Sequence, residues 1–520
     1  MLRRHLAVIL FVCVSISSAV ADTLRLGNPG EPETLDPHRY NLRLEETILT
    51  DLFLGLTTFN AAGETVPGAA ERWETSADGL RWTFHLRSGL QWSDGTPLSA
   101  QDFVYAFRRL LDPDTAASLA YFMYPLANAE AVNAGALPVT ALGAAAPDAR
   151  TLVLTLAKPY PYLPERLLYP TAFPVPAHVI ERVGDDWVKP ANWVSNGAYT
   201  LVDWQPQAAI RLKPNPHFSA SGLEEPRLSS VEYLPIASEQ NGWNRYRAGE
   251  VDAISSFPSS ELDKARQLFP QDLRLSPLLS SVYLVFNTRR PPLDDVRVRE
   301  AIALAIDRDI LVGPVQRAGN TVSQSFVPAL VTDYQPTPMP GSELAIDARL
   351  ERARALLAAA GYQGTRSLTM RGFSGSESKR TLLAIDGFLD RIGVETVLQQ
   401  TELKVHFADL RRGDFDIALA GWFGENNAEH YLGLWGSATG DVNYGGYANT
   451  EFDARMAEAA RESDRDRRND LLERAEAIGI AGFPVVPLYS VTVRRLVSSR
   501  IGGWVDNPRD VHPVRFLRLD

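Results

Sequence analysis

The chain has 520 residues, 45% of them hydrophobic and 22% charged, an ordinary composition for a globular protein. This length predicts two to four domains. The 63 acidic residues outnumber the 52 lysines and arginines, which argues against nucleic acid or an anionic membrane surface as a partner.

Residues 1–21 have the pattern of a secretory signal peptide. Arg3 and Arg4 precede a short apolar run, and small residues lead to Ala21, after which we expect cleavage. The run is shorter than the roughly 20 apolar residues that span a bilayer. A membrane anchor and lipid attachment at Cys13 are the alternatives. The mature chain would keep 50 basic and 63 acidic residues, a net charge near −13, and we expect it in a bacterial periplasm.

Cys13 is the only cysteine, and it lies inside the predicted signal peptide. The mature chain therefore can form no disulfide, and a cysteine-ligated metal or a thiol nucleophile is excluded. Its stability must come from burial of apolar side chains.

Hydrophobic periodicity predicts strands and helices that mix along the whole chain. The predicted strands are 23–27, 80–86, 151–156, 198–202, 209–212, 282–287, 415–419 and 484–489. The predicted helices are 99–111, 295–308, 350–360, 454–460 and 471–480, the first of them capped by Ser99 and ended by Pro113. This mixture predicts an α/β fold with mixed sheets. The pattern alone leaves the domain boundaries open.

Seven motifs occur in order and at near-regular spacing. They are EPETLDPH at 31–38, WTFHLR at 82–87 with WSDGTP at 92–97, DFVYAF at 102–107, VSNGAY at 194–199, NRYRAGEVD at 244–252, DVRVR at 295–299 and AIDR at 305–308. Together with GWFGE at 421–425 they resemble the periplasmic oligopeptide-binding proteins, the extracytoplasmic receptors of ABC peptide importers. The resemblance covers essentially the whole mature chain.

The resemblance implies a two-lobed clamshell, with a ligand enclosed where the lobes close. Lobe I is expected to combine 22–45, 173–280 and 493–520. The inserted subdomain II is expected at 46–172, and lobe III at 281–492. Members of this family add an extended peptide between strands of the two lobes, so that backbone groups supply affinity.

The same resemblance implies the contact residues. In lobe I they are Glu31, Pro32 and Glu33, and in lobe III they are Gly421, Trp422 and Phe423. The family pattern is Gly-Trp-x-x-Asp-Tyr, in which the aspartate holds the α-ammonium of the peptide. Glu425 stands at the aspartate position here, so we expect it to be the ammonium anchor. A solvated loop carboxylate is the alternative.

Leu419 is the second departure from the family pattern. Relatives carry an arginine two positions before this glycine, where it can meet the carboxylate of a short peptide, and leucine cannot do so. Arg411, Arg412 or the pair Lys379–Arg380 could substitute, although an ordinary surface cation is the better expectation for each of them. Either the ligand is not a short peptide with a free carboxylate, or the carboxylate is held differently.

The chain has no recognisable catalytic motif: no Gly-x-Ser-x-Gly, no His-Glu-x-x-His and no phosphate-binding glycine loop. We therefore expect a binding protein that is not an enzyme and has no cofactor. His430 is the histidine near the predicted site, and a surface histidine is a better expectation for it than a metal ligand.

Three functions stay open. The first is a periplasmic receptor that delivers peptides to an inner-membrane ABC permease and acts as a monomer. The second is a receptor for another solute, such as a murein peptide, an opine or a nickel chelate. The third is a periplasmic chaperone or a hydrolase built on the same scaffold.

Overall fold

The computed structural model describes residues 23–364 and 366–520. The predicted signal peptide, 1–21, lies outside the described residues. Among the residues described, no helix is long and apolar enough to cross a membrane.

Strands and helices are mixed along the whole described chain. The strands are β1 Thr23–Asn28, β2 Thr57–Phe59, β3 Thr65–Pro67, β4 Ala70–Thr75, β5 Arg81–Leu86, β6 Ala144–Asp148, β7 Thr151–Thr155, β8 Tyr199–Gln205, β9 Ala209–Pro214, β10 Ser230–Pro235, β11 Ala253–Ile254, β12 Leu273–Pro277, β13 Ser280–Phe286, β14 Thr321–Val322, β15 Leu368–Phe373, β16 Thr396–Thr401, β17 Ile417–Phe423, β18 Val485–Ser490, β19 Thr492–Val497, β20 Ile501–Gly502 and β21 Arg518–Leu519. The helices are α1 Arg43–Leu52, α2 Ala100–Leu111, α3 Ala129–Asn133, α4 Leu163–Arg166, α5 Ala177–Val183, α6 Glu239–Arg247, α7 Leu262–Leu268, α8 Val296–Ala305, α9 Arg308–Ile310, α10 Ile346–Ala359, α11 Ser376–Asp390, α12 Leu403–Arg411, α13 Glu429–Leu432, α14 Thr450–Ala459 and α15 Arg465–Ala481.

Two large mixed sheets dominate the fold. The first has the order β12-β19-β11-β1-β10-β9-β8, and its central strand β1 runs parallel to both β10 and β11. The carboxyl ends of these three strands therefore meet at one edge, the place where open sheets hold ligands. The second sheet has the order β14-β18-β13-β17-β15-β16, and a separate four-stranded sheet has the order β4-β5-β7-β6.

Alternating apolar residues explain the strands that the sequence predicted correctly. In β5 the side chains of Trp82, Phe84 and Leu86 are buried while the residues between them are more open. The predicted cap of α2 is confirmed, because the Asp102 carboxylate accepts the Ser99 N–H at 2.8 Å. The predicted pairing of β8 with β9 is also confirmed as antiparallel.

Several predicted boundaries are wrong: the helix predicted over 471–480, for example, already begins at Arg465. Two of the errors have clear local reasons. The helix predicted over 295–308 ends at Ala305, because Ile306 is extended and the Asp307 carboxylate caps a new short helix by accepting the N–H of Ile310 at 3.1 Å. The strand predicted over 415–419 is β17, which begins at Ile417 and continues to Phe423. Its pairing with β13 continues over that whole length.

The buried apolar residues form three clusters. The largest joins side chains of the first sheet with those of the four-stranded sheet, for example Leu24 with Phe84. A second surrounds the sheet of β13 and β17, and a third packs under α6 and α7. The first sheet and the four-stranded sheet thus share one core, while the segment from β13 to β18 has a core of its own.

We keep the predicted boundaries, lobe I at 22–45, 173–280 and 493–520, subdomain II at 46–172 and lobe III at 281–492, as a proposal. Apart from Ser280 of β13 and Thr492 of β19, each one residue beyond a boundary, each of the three larger sheets draws its strands from one of these parts. The chain crosses between the two large sheets at the β12–β13 and β18–β19 connections.

Candidate ligand-binding site

The end of β17 presents backbone groups at an open edge. Gly424 N–H donates to Leu279 O at 2.9 Å, so the even-numbered residues of β17 direct their backbone toward β13. Gly421 and Phe423 therefore direct their N–H and C=O groups to the other side. On that side the neighbouring strand is β15. Among the described residues, β15 pairs with β17 only at Ile417 and Ala418, the first two residues of β17.

Leu419 marks where that open edge begins. The Leu419 carbonyl, on the same side as those of Gly421 and Phe423, accepts a hydrogen bond from His406 Nε2 at 2.8 Å. The Leu419 side chain is fully buried in the core of this sheet. A side chain at this position thus enters the core, and a substitute cation would have to come from elsewhere.

The proposed substitutes for that cation are surface groups. Arg411 and Lys379 are exposed, and Arg412 is exposed while it pairs with Asp409. Arg380 is half-buried, and its Nε has no recorded partner among the described residues. No described contact connects any of them to the end of β17.

The side chains of this strand end differ in exposure. Phe423 is 63% exposed, the highest value among the exposed large apolar side chains of the described residues. Trp422 is half-buried, and its Nε1–H is buried without a recorded partner among the described residues. The indole packs edge-on against the His430 ring, with centroids 5.4 Å apart.

Glu425 follows two residues after the strand and is 3% exposed. Its Oε1 lies 3.0 Å from Arg166 Nη2, an ion pair that is close but not aligned as a hydrogen bond. Its Oε2 accepts from Asn427 Nδ2 at 3.3 Å and from the Tyr160 hydroxyl at 3.5 Å. The carboxylate is therefore buried and its charge is compensated from within the protein.

Arg166 is the last residue of α4 and is itself largely enclosed, with 13% of its side chain exposed. Its guanidinium lies over the Phe122 ring at 4.8 Å and donates to the Tyr160 hydroxyl at 3.0 Å. Burial alone would lower the pKa of Arg166, but the nearby Tyr160 and Glu425 outweigh it and raise the pKa above its ordinary value. Arg166 is thus a permanent cation against Glu425.

Breaking this pair has a cost that general magnitudes can bound. Leaving one member of a buried ion pair without its partner costs roughly 3–5 kcal/mol. A hydrogen bond from a ligand ammonium to a carboxylate contributes roughly 1.5–3 kcal/mol. Because the first range exceeds the second, an ammonium does not displace Arg166 from Glu425 without further compensation.

His430 supports the backbone next to Glu425. Its Nδ1 accepts the Glu425 N–H at 2.8 Å, which requires a ring with the proton on Nε2. Burial lowers the pKa of His430, against the attraction of the Glu425 charge, so the neutral ring persists. The sequence predicted a surface histidine here, whereas the structure shows a half-buried ring with a structural hydrogen bond.

The predicted segment of lobe I is a short loop that follows β1. Glu31 is held by the Trp204 indole N–H at 2.7 Å and by the Gln207 N–H at 3.1 Å. The Glu33 N–H donates to Glu45 Oε1 at 2.8 Å, and Pro32 has no N–H. Among the described residues, no hydrogen bond reaches the carbonyl oxygens of residues 31–33. The loop therefore offers acceptors.

A separate cavity of about 260 Å³ lies beside this loop. It is bounded by the end of β1, by α1 and by the C-terminal segment, and its polar lining includes Asn28, Ser255, Arg495 and Asp510. Its lining residues come from lobe I as proposed and from Glu46, Thr47 and Thr50 at the start of the proposed subdomain II, and none of them comes from lobe III.

The structure brings the predicted residues together only in part. Gly421, Trp422, Phe423 and Glu425 form one continuous strand end, and Glu31 to Glu33 form one loop. No described hydrogen bond or ion pair joins the two segments. The sequence analysis missed Arg166 and Tyr160, which the fold places against Glu425 from far away in the chain. The described residues contain no cluster of three or more histidine, cysteine, aspartate or glutamate side chains suited to a metal.

Comparison with known proteins identifies the family. The model of the bacterial extracellular solute-binding proteins, family 5, matches residues 64–443. The chain belongs to this family. It is 36% identical over 499 residues, 95% of this chain and 92% of the relative, to the probable deoxycholate-binding periplasmic protein YgiS of Escherichia coli K12. It is equally 36% identical, over 95% of this chain and 91% of the relative, to the periplasmic oligopeptide-binding protein OppA of the same organism.

The fold agrees with this membership. The unliganded open form of the periplasmic murein tripeptide-binding protein MppA matches with a TM-score of 0.87 at 32% identity, over 96% of this chain and 98% of that one. The protein is therefore a periplasmic solute-binding protein with the two-lobed clamshell fold, and its family consists of receptors rather than enzymes.

Proposed function

We propose that this protein captures peptides or peptide-like solutes in the periplasm and delivers them to an inner-membrane ABC importer. The open edge of β17 is the observation that carries this proposal. Gly421 and Phe423 offer an N–H and a C=O each, at the spacing with which an added strand pairs. Backbone pairing of this kind binds many sequences, because it does not depend on the side chains of the peptide.

The loop of Glu31, Pro32 and Glu33 supplies the complementary half of the proposed site. Its carbonyl groups, which accept no hydrogen bond among the described residues, suit the N–H groups of an extended peptide, while the Glu31 carboxylate and the Glu33 N–H are held by contacts behind the loop. A peptide that bridges this loop and β17 would hold the two lobes together. Lobe closure around a ligand is how a receptor of this shape signals that it is occupied.

Glu425 lies beyond the open edge, where one end of a bound peptide would be. The family resemblance assigns it to the peptide ammonium, and this stays a proposal, since Arg166 already compensates its charge. Trp422, whose N–H has no hydrogen-bond partner among the described residues, would border the same end. In this proposal the protein works as a monomer and changes no covalent bond of its ligand.

Calorimetric titration with defined tripeptides tests the proposal. The protein is first unfolded and refolded to remove any solute that co-purifies. Saturable binding of one peptide per chain, with a rise in Tm on saturation, is the expected result. Absence of heat and of any Tm shift with every tripeptide tried would contradict a peptide receptor.

A receptor for a solute that is not a peptide is the second candidate. Leu419 favours this candidate, because an uncharged, buried leucine stands where the resemblance places an arginine in peptide-binding relatives. One relative is named for deoxycholate, a solute that has no peptide backbone. Mass spectrometry of the solute that co-purifies with the protein separates the two candidates, since a solute without amide bonds would support the second.

A further inference from the structure

We propose that Arg166 is a specificity-determining residue, which takes the place of a ligand ammonium at Glu425 and adapts the site to solutes with an uncharged amino end. N-acylated peptides are the class that this describes. The inference rests on the proposed function, since it assumes that a peptide-like solute pairs with β17. It concerns which end group that solute carries.

The Glu425 carboxylate is enclosed and already has a counter-ion within the protein. Glu425 is 3% exposed, and its two oxygens face Arg166, Asn427 and Tyr160. A ligand ammonium placed beside Arg166 would put two positive charges around one buried negative charge. Like charges in an enclosed site repel strongly because little water screens them.

Arg166 is also fastened where it lies. Its guanidinium rests on Phe122 and donates to Tyr160, and both of these residues come from the same part of the chain as α4. Among the described residues, Glu425 is the one carboxylate with which Arg166 forms an ion pair. If a ligand ammonium displaced Arg166 from Glu425, the buried Arg166 guanidinium would lose its counter-ion. This loss opposes binding of the ammonium.

Glu425 Oε1 faces the Arg166 guanidinium at 3.0 Å without an aligned hydrogen bond, and the other open polar groups named here are donors. Arg166 Nε–H and Trp422 Nε1–H are buried and have no recorded partner among the described residues. An ammonium group is a donor only and cannot satisfy either of them. An acyl carbonyl is an acceptor and can, so an amide at the end of the ligand complements this region better than a charged amine does.

The test compares free-amine tripeptides with their N-acetylated forms by calorimetric titration of the refolded full chain. The wild type is expected to bind the acetylated peptide at least as tightly as the free peptide. Arg166→Met is expected to shift the affinity ratio at least tenfold toward the free amine, because it releases Glu425. The double variant Arg166→Met/Glu425→Gln is expected to lose that shift. Arg465→Met is the matched control. Arg465 of α15 forms an ion pair at 3.1 Å with Glu165, the neighbour of Arg166 in α4, and has no described contact with Glu425. The affinity ratio of this variant should equal that of the wild type.

A wild type that prefers the free amine tenfold or more overturns the inference and leaves the proposed function standing. An Arg166→Met variant that folds but keeps the wild-type ratio of free-amine to N-acetylated affinity also overturns the inference. If no tripeptide of either kind binds, the proposed function itself fails. Because the wild-type ratio needs no substitution, the inference stays falsifiable even if Arg166→Met does not fold, and Arg166→Gln then serves as the second variant.

Discussion

Arg166 and Glu425 form a buried ion pair 3.0 Å long between the end of α4 and the segment after β17. The pair joins the inserted subdomain to lobe III in the proposed division of the chain. Close by, Tyr162 donates to Asn469 at 3.2 Å across the same boundary. The contact therefore helps to hold two parts of the molecule together as well as shaping the site.

The pair should be visible as a coupling free energy. Arg166→Met leaves the Glu425 charge buried and alone, and we expect it to lower the free energy of unfolding by roughly 3–5 kcal/mol. The double variant with Glu425→Gln removes both charges and should be less destabilised than Arg166→Met alone. Urea unfolding of the wild type, the two single variants and the double variant measures this. Strictly additive effects would show that the two side chains do not interact.

Substitutions at Leu419 test whether its side chain lies in the core or faces the ligand-binding cleft. If the position faced a ligand, Leu419→Arg would restore a carboxylate-binding cation and retain the fold. Because Leu419 is fully buried and belongs to the core, we expect Leu419→Arg to unfold the protein or lower its Tm sharply. Leu419→Met conserves volume and should cost less than about 1.5 kcal/mol. A folded Leu419→Arg with tighter peptide binding would contradict this placement.

The sequence predicted the elements whose pattern is local. The alternation in β5 and the Ser99–Asp102 cap of α2 depend on residues a few positions apart, and the structure confirms both. The helix from Asp295 was predicted too long because its end depends on the conformation of one residue, Ile306. Periodicity does not register such a break.

The site was predicted less completely, since its contacts are distant in sequence. The GWFGE motif located β17 and Glu425, but Tyr160 reaches Glu425 across 265 residues. No local pattern marks Arg166 as different from other surface arginines. The burial of Glu425 and its counter-ion follow only from how the sheets pack, which the sequence alone does not contain.

His38 predicts a pH dependence of stability. It is buried; its Nδ1 faces Arg109 at 2.9 Å and its Nε2 faces the Phe173 carbonyl at 3.2 Å. Burial, with the Arg109 charge, lowers the pKa of His38 from 6.5 to about 3. Between these values the unfolded chain takes up a proton that the folded chain does not. The His38 contribution is therefore fully present above pH 6.5 and is lost as the pH falls toward 3, by at most about 1.4 kcal/mol per pH unit.

Urea unfolding of the wild type and of His38→Gln at a series of pH values checks this. Glutamine retains a donor and an acceptor but does not titrate. The difference in unfolding free energy between the two proteins should grow as the pH rises from about 3 to about 6.5 and stay level above that. A difference independent of pH would show that His38 titrates normally in the folded protein.

Phe423 separates backbone from side-chain contributions at the open edge. Phe423→Pro removes an N–H that faces away from β13, so the sheet keeps its pairing and the Tm should change little. Peptide affinity should fall at least tenfold. Phe423→Ala retains that N–H and serves as the matched control, with a smaller loss. Equal losses in the two variants, measured by calorimetric titration, would assign the effect to the aromatic ring.

Amide hydrogen exchange at residues 421–424, with and without bound tripeptide, tests the central claim most directly. The amides of Trp422 and Gly424 face β13 and should be protected in both states. Those of Gly421 and Phe423 face the open edge and should exchange readily in the free protein and become protected when a peptide pairs with β17. Saturation with peptide that leaves the exchange of Gly421 and Phe423 unchanged would contradict binding at this strand.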